Sequence, residues 1–160
     1  MMAFQLLTVV TCSIIAVQDF RERKVLWLCF PFAAIFLACL HIKHVGLLPF
    51  LYAALTNVFL TSCILLILWL VTKYIFKKDF LNVSFGLGDM LFMYAFAMGF
   101  PTITFILLFV ASICFSLMVF IFMKVLGNIE TVPLAGLMGI FLVAVILMAH
   151  LPNCPSLYLL

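Results

Sequence analysis

Charge is what this sequence has least of. Its 160 residues include eight Lys or Arg and five Asp or Glu, so 8% are charged against 69% hydrophobic. A water-soluble domain carries about a quarter charged residues, which excludes that class here. Also missing is the alternation of apolar and polar residues in segments of about ten that marks a transmembrane β-barrel. No basic stretch precedes the first apolar run, and Gln18-Asp19 follows it where a signal peptide would carry small residues for cleavage. The first run therefore reads as a retained helix. Cysteine pairs are missing too: the six cysteines (12, 29, 39, 63, 114, 154) contain no Cys-x-x-Cys, and five lie inside apolar runs where a thiol packs as a small hydrophobe. A structural zinc site or disulfide framework is not expected. The net charge of +3 comes from scattered loop cations with no basic patch, so a nucleic-acid partner is not expected either.

What is present is apolar sequence in long runs, with a mean hydropathy of +1.46. Runs of about 18 or more apolar residues are candidates to cross a bilayer. Polar interruptions and proline divide them into six expected helices in an all-α polytopic membrane protein, a single domain over 1–160. The helices are expected at about Met2–Val17, Val25–Leu40, within Val45–Thr72, Asp89–Met98, Thr102–Met123 and Val132–Ala149. Pro31 would kink the second helix or sit in its first turn, and Pro49 would make the start of the third irregular. Gly99-Phe100-Pro101 splits an apolar stretch too long for one span.

Six spans place alternate connections on opposite sides. Arg21, Arg23, Lys24, Lys73, Lys77, Lys78 and Lys124 fall on one side and Lys43 alone on the other. The positive-inside rule makes the rich side cytoplasmic and puts both termini outside. The five acids, Asp19, Glu22, Asp79, Asp89 and Glu130, also fall on the cytoplasmic side.

Two of those acids stand out. In Phe85-Gly86-Leu87-Gly88-Asp89-Met90 a carboxylate sits among glycines at the mouth of an apolar run, and Asp19 follows the first run. An acid at a helix centre in lipid costs about 2.5–3.5 kcal/mol on insertion scales, so acids in such settings are functional candidates. Two carboxylates held close cannot both ionise cheaply and tend to share a proton. The ionised member can deprotonate a water while the protonated one polarises a peptide carbonyl, which hydrolyses the peptide without metal or cofactor. Gly86 and Gly88 would supply an unusual backbone and close approach, and the helix starting at Asp89 would favour negative charge through its dipole. The plainer readings are that Asp89 is an N-cap and that Asp19 is a loop charge beside arginines.

Gly86-Leu87-Gly88-Asp89, with Asp19 upstream followed by Arg23 and Val25, resembles the type IV prepilin peptidase family of Gly-x-Gly-Asp membrane aspartyl proteases. Thr131-Val132-Pro133-Leu134-Ala135 resembles that family's late Ile/Val-Pro-apolar motif. The resemblance covers span count, orientation and motif order along the whole chain. It implies Asp19 and Asp89 as the catalytic pair, with Gly86, Gly88, Arg23 and Pro133 as motif support. The implied activity is removal of short basic leaders from pilin-like precursors, whose apolar helix stays in the bilayer, at the cytoplasmic face of the inner membrane. Glu22 and Asp79 are candidates to receive the basic leader, with solvated loop charges as the plainer reading. The chain departs from the family at Leu91, where a Lys is frequent, and at Leu26-Trp27, where Pro-Asn is frequent. The cytoplasmic paired-cysteine region of larger members does not precede the first helix here, so peptidase without methyltransferase activity is expected. Presenilin-type proteases share Gly-x-Gly-Asp but need nine spans and a Tyr-Asp.

Readings from other classes remain: a small transporter or channel component using the acids as a proton relay, or an inactive scaffold of a pilus-type secretion system. A relay calls for acids at staggered depths, whereas both of these lie at one face. His41 and His44, three apart, could share a metal, but an interfacial pair without one is the plainer reading. Trp27 and Trp69 are expected near membrane interfaces. The long polar connections and the short fourth helix suggest that the two aspartates stay apart until substrate arrives.

Overall fold

The computed structural model describes residues 2–22, 25–76, 86–126, 133–149 and 157–158, and all of its elements are helical. Six α-helices follow in order: α1 (Met2–Glu22), α2 (Cys29–Val45), α3 (Leu47–Val71), α4 (Leu87–Ala97), α5 (Thr102–Leu126) and α6 (Leu134–Met148). A π-helical turn, Thr72–Phe76, prolongs α3. Three helical stretches are long and apolar enough to cross a membrane: Ala3–Arg21, Leu47–Tyr74 and Thr102–Val125. Large apolar side chains such as Leu6, Leu55, Phe59, Phe122 and Val125 are exposed on their outer faces. An exterior this apolar is what a lipid solvent permits and water does not.

The boundaries move relative to the sequence reading for identifiable reasons. Gln18 does not end α1; the helix continues through Asp19 to Glu22. The Gln18 side chain then accepts a hydrogen bond from the Leu26 amide (3.0 Å), tying the connection to the helix end. α2 starts at Cys29, so Pro31 falls in its first turn, where a missing N–H costs nothing. His41 and His44 are inside α2, which stops at Gly46. Gly46 has φ +87°, a conformation that suits glycine, and it lets the chain turn into α3 with a single residue between helices. α3 begins regularly at Leu47 and takes Pro49 in its first turn.

The short helix α4 is the hub. It packs against α2, α3, α5 and α6, while α1 lies chiefly along α6 and α2. Its Phe92 and Phe96, one turn apart, line one side, and Phe100 in the turn after the helix joins them. Phe96 is completely buried and its ring lies 5.7–6.4 Å from those of Phe92, Phe100, Phe105 and Phe109. Because lipid is as apolar as this core, the cluster stabilises through close packing rather than through escape from water. Phe96→Ala should lower unfolding stability in detergent by about 3 kcal/mol, the lower end for a buried Phe truncation. Denaturant titration of the purified protein checks this.

Glycine sets the α1–α6 approach. A Cβ on Gly139 would stand 3.3 Å from the Cys12 carbonyl oxygen, and one on Gly136 would stand 3.0–3.3 Å from Asp19 and Phe20. Small residues at such positions are what lets two membrane helices come close. Several core hydroxyls are satisfied within their own helices: Thr8 donates to the Phe4 carbonyl, Thr61 to that of Asn57 and Ser116 to that of Ser112.

Candidate active site

Helical periodicity aims both aspartates inward. On α1 the buried residues Thr8, Cys12, Ile15 and Ala16 define a face that Asp19 continues. On α4, Asp89 lies one turn before the buried pair Phe92 and Met93 and two turns before Phe96. The two faces converge on the first turn of α6. The Asp89 Oδ1 accepts a hydrogen bond from the Ala135 amide, and the Asp19 Oδ2 accepts one from the Gly136 amide, each at 2.7 Å. Two carboxylates 70 residues apart in sequence are thus held side by side on consecutive amides of one helix, near enough to act on each other electrostatically. Both are half-buried.

These contacts follow from elementary helix chemistry. The first amides of any helix have no intrahelical acceptor. Pro133, buried just before α6, has no N–H itself and accepts at its carbonyl the first intrahelical bond, from Leu137 at 3.0 Å. The amides of Ala135 and Gly136 are left for outside partners, and the positive end of the helix dipole favours anions there. Asp19, by contrast, lies in the last turn of α1, where the dipole disfavours a negative charge by about 0.3–1 kcal/mol. Its local setting is unfavourable, and its partner on α6 is what compensates. A residue that breaks a local rule for a distant contact is a candidate for a functional or strained position.

The glycines act differently from the sequence expectation. Gly86, the residue before α4, has φ −71°, and among the described residues Gly46 is the one glycine with positive φ. Gly86 matters for space: a Cβ there would lie 2.8 Å from the Asp89 Oδ2, so the carboxylate would have to shift. Asp89 is the third residue of α4, so it is not its N-cap; its carboxyl instead reaches back to the Gly86 amide. The dipole that supports the pair is that of α6 as well as that of α4. Gly88 faces α2, where a Cβ would meet the Phe30 ring at 3.3 Å. Gly86→Ala should leave the fold intact, since a carboxylate can rotate, but should lower any activity of the pair about tenfold by turning Asp89 away from Ala135. Activity and thermal midpoint measured on the same preparation separate the two effects.

Of the remaining sequence candidates, Glu22 ends α1, while Arg23 and Asp79 lie outside the described residues, as do Lys24, Lys77, Lys78, Phe85, Glu130, Thr131 and Val132. The expectation that the aspartates stand apart without substrate is corrected: α6 holds them together. Sequence reading missed Ala135 and Gly136, which contribute backbone amides. The available signal was a helix start after Pro133 followed by small residues. The histidines lie far along α2 from this end, with the His41 Nδ1 3.2 Å from the Met98 carbonyl and the His44 ring stacked on Tyr158. No group of three potential metal ligands occurs among the described residues.

An open apolar groove of about 410 Å³ lies between Ala16, Val17, Phe20 and Arg21 of α1 and Ile140 and Val143 of α6; neither aspartate lines it. Its Phe20 and Arg21 end adjoins Asp19. The fold and site thus define an all-helical bundle with membrane-length helices and a pair of carboxylates at one end. Comparison with protein-family models, curated proteins and solved structures gave no match to this chain.

Proposed function

We propose that the chain is an aspartic endopeptidase of the bilayer that removes short basic leaders from prepilin-like precursors. The observation that carries this reading is the convergence of Asp19 and Asp89 on the consecutive amides of Ala135 and Gly136. In this reading all six helices span or enter the inner membrane, both termini face outward, and the pair works at the cytoplasmic side with Arg21 and Lys73.

The pair carries one proton. The ionised carboxylate takes a proton from water as the water oxygen bonds to the peptide carbonyl carbon, and the other carboxyl gives its proton to the carbonyl oxygen. The resulting diol collapses: the first carboxyl protonates the leaving nitrogen, the C–N bond breaks, and the second carboxylate recovers a proton from the diol. The pair returns to its starting charge, so the amides of α6 stabilise a negative charge that persists throughout. The groove beside α1 and α6 suits the precursor's apolar helix, whose cytoplasmic end would then lie beside Asp19.

The same two contacts also favour a second reading, in which the carboxylates cap α6 in a non-catalytic scaffold. Co-expression with pilin-like precursors in membranes, with N-terminal sequencing of the product, distinguishes the two. A cut behind the basic leader that Asp19→Asn eliminates supports the peptidase. Processing indifferent to both aspartates removes the peptidase reading, and absence of processing across a panel of precursors favours the scaffold.

A further inference from the structure

We infer that Asn57, deep in α3 and far along α4 from the acid pair, is a positioning residue that sets the depth and rotation of α4 and thereby holds Asp89 against Asp19. The inference rests on the peptidase reading for its consequence in catalysis, but its geometric content stands without it.

Asn57 is completely buried, and its Nδ2 donates to two carbonyls at once, Ala97 at 3.0 Å and Phe100 at 2.9 Å. Those carbonyls belong to the end of α4 and the turn into α5, where helix geometry leaves acceptors without intrahelical donors. Local amides serve part of that end: Met98 and Gly99 donate to Ala95 and Phe96. The Ala97 and Phe100 carbonyls are the two that Asn57 reaches, and the His41 Nδ1 from α2 lies beside that of Met98. Two neighbouring helices therefore grip one turn through three carbonyls. A third link lies midway along α4, where the Tyr94 and Ser62 hydroxyls are 3.0 Å apart.

α4 needs such a grip. It has eleven residues, mostly apolar, and contacts four other helices through apolar side chains. Close packing of Phe92 and Phe96 favours one arrangement of α4, and the interhelical hydrogen bonds add a directional constraint that apolar contacts in lipid lack. Asp89 lies eight residues before Ala97, a rigid lever of about 12 Å at the helical rise. One residue of rotation at the gripped end would turn Asp89 by about 100° and remove it from Ala135. Among the described residues the Asn57 Oδ1 has no hydrogen-bond partner, nor has the His41 Nε2. An unmatched acceptor in an apolar core is a local cost, so what the Asn side chain contributes is the placement of its two donors.

The test uses Asn57→Leu, which keeps the volume and removes both donors, and Asn57→Gln, which keeps the amide on a longer arm. In membranes bearing the full chain with its native cysteines replaced, Asp19→Cys/Asp89→Cys is oxidised and disulfide yield is read on gels. Adding Asn57→Leu should lower the yield at least threefold, and adding Asn57→Gln should lower it less. With both aspartates present, Asn57→Leu should reduce kcat for precursor cleavage about 10–100-fold with KM within about twofold, because misplacement by about 1 Å costs up to 10²-fold in the chemical step. Asn57→Gln should recover part of kcat. Unchanged disulfide yield with Asn57→Leu overturns the inference. Should Asn57→Leu fail to accumulate, an unchanged yield with Asn57→Gln overturns it equally. If the otherwise wild-type chain cleaves no precursor, the peptidase reading falls separately, and the disulfide yield still decides the placement of α4.

Discussion

Asp89→Asn and Asp19→Asn should each lower precursor cleavage by about 10³-fold or more, within the range of positioned acid–base catalysis. Either substitution retains an oxygen that can accept the α6 amide at Ala135 or Gly136, so the helix start keeps an acceptor. A neutral acceptor is worth about 1 kcal/mol less than a charged one, and removing one of two neighbouring charges offsets part of that. Near-normal accumulation and near-normal thermal midpoint should therefore accompany the loss of activity. The double substitution should cost no more than either single one, because in the proposed mechanism the two carboxyls act on one proton and neither works without the other. Cleavage by the wild type should be bell-shaped in pH. Rate is lost on the acid side when both carboxyls are protonated and no base remains. It is lost on the alkaline side when both are ionised and no acid remains. A single variant that keeps more than a tenth of wild-type kcat would refute the shared-proton mechanism.

Much of this architecture was legible because its determinants are local. Hydropathy and the Gly99-Phe100-Pro101 break gave the number and order of helices, and the Gly-x-Gly-Asp pattern singled out Asp89. Helix ends were less legible. Asp19, Phe20, Arg21 and Glu22 look like a loop when charge alone is counted, yet they complete α1, since straight-chain Glu and Arg suit a helix and Gln18 secures the following connection. The histidine patch was misplaced for the same reason: His41 is polar in sequence but sits in the core, against the Met98 carbonyl. The reason for the site's closeness was not legible at all. It depends on backbone amides of Ala135 and Gly136, and backbone donors have no residue-type signature. Gly136 itself gave a clue, because a glycine three residues into a helix weakens it by about 1 kcal/mol unless something must approach closely. Similarly, Asn57 in a run of apolar residues was a polar exception whose partners, the Ala97 and Phe100 carbonyls, are defined only by where α4 ends.

Gly136→Ala should separate the site from the fold more sharply than any change to a functional side chain. The added Cβ would stand 3.0 Å from the Asp19 Oδ2, 3.2 Å from the Asp19 Cβ and 3.3 Å from a Phe20 ring carbon. The carboxylate can swing aside, but the Asp19 Cβ moves only with its backbone. The conflict therefore resolves by α1 backing away from α6, by Asp19 leaving the Gly136 amide, or by both. Misplacement on that scale should lower kcat about 10²-fold. Stability should respond far less. Alanine gains about 1 kcal/mol over glycine in helix propensity, against about 1–3 kcal/mol for overpacking, so the net change is at most a modest loss. Gly139→Ala is the matched comparison: it adds the same methyl one turn on, 3.3 Å from the Cys12 carbonyl oxygen, and meets no carboxylate. It should retain activity within a few-fold while showing a similar stability change. Equal activity losses in the two variants would mean that general α1–α6 spacing matters and that the Asp19–Gly136 contact does not. A loss confined to Gly136→Ala would locate the requirement at the carboxylate itself.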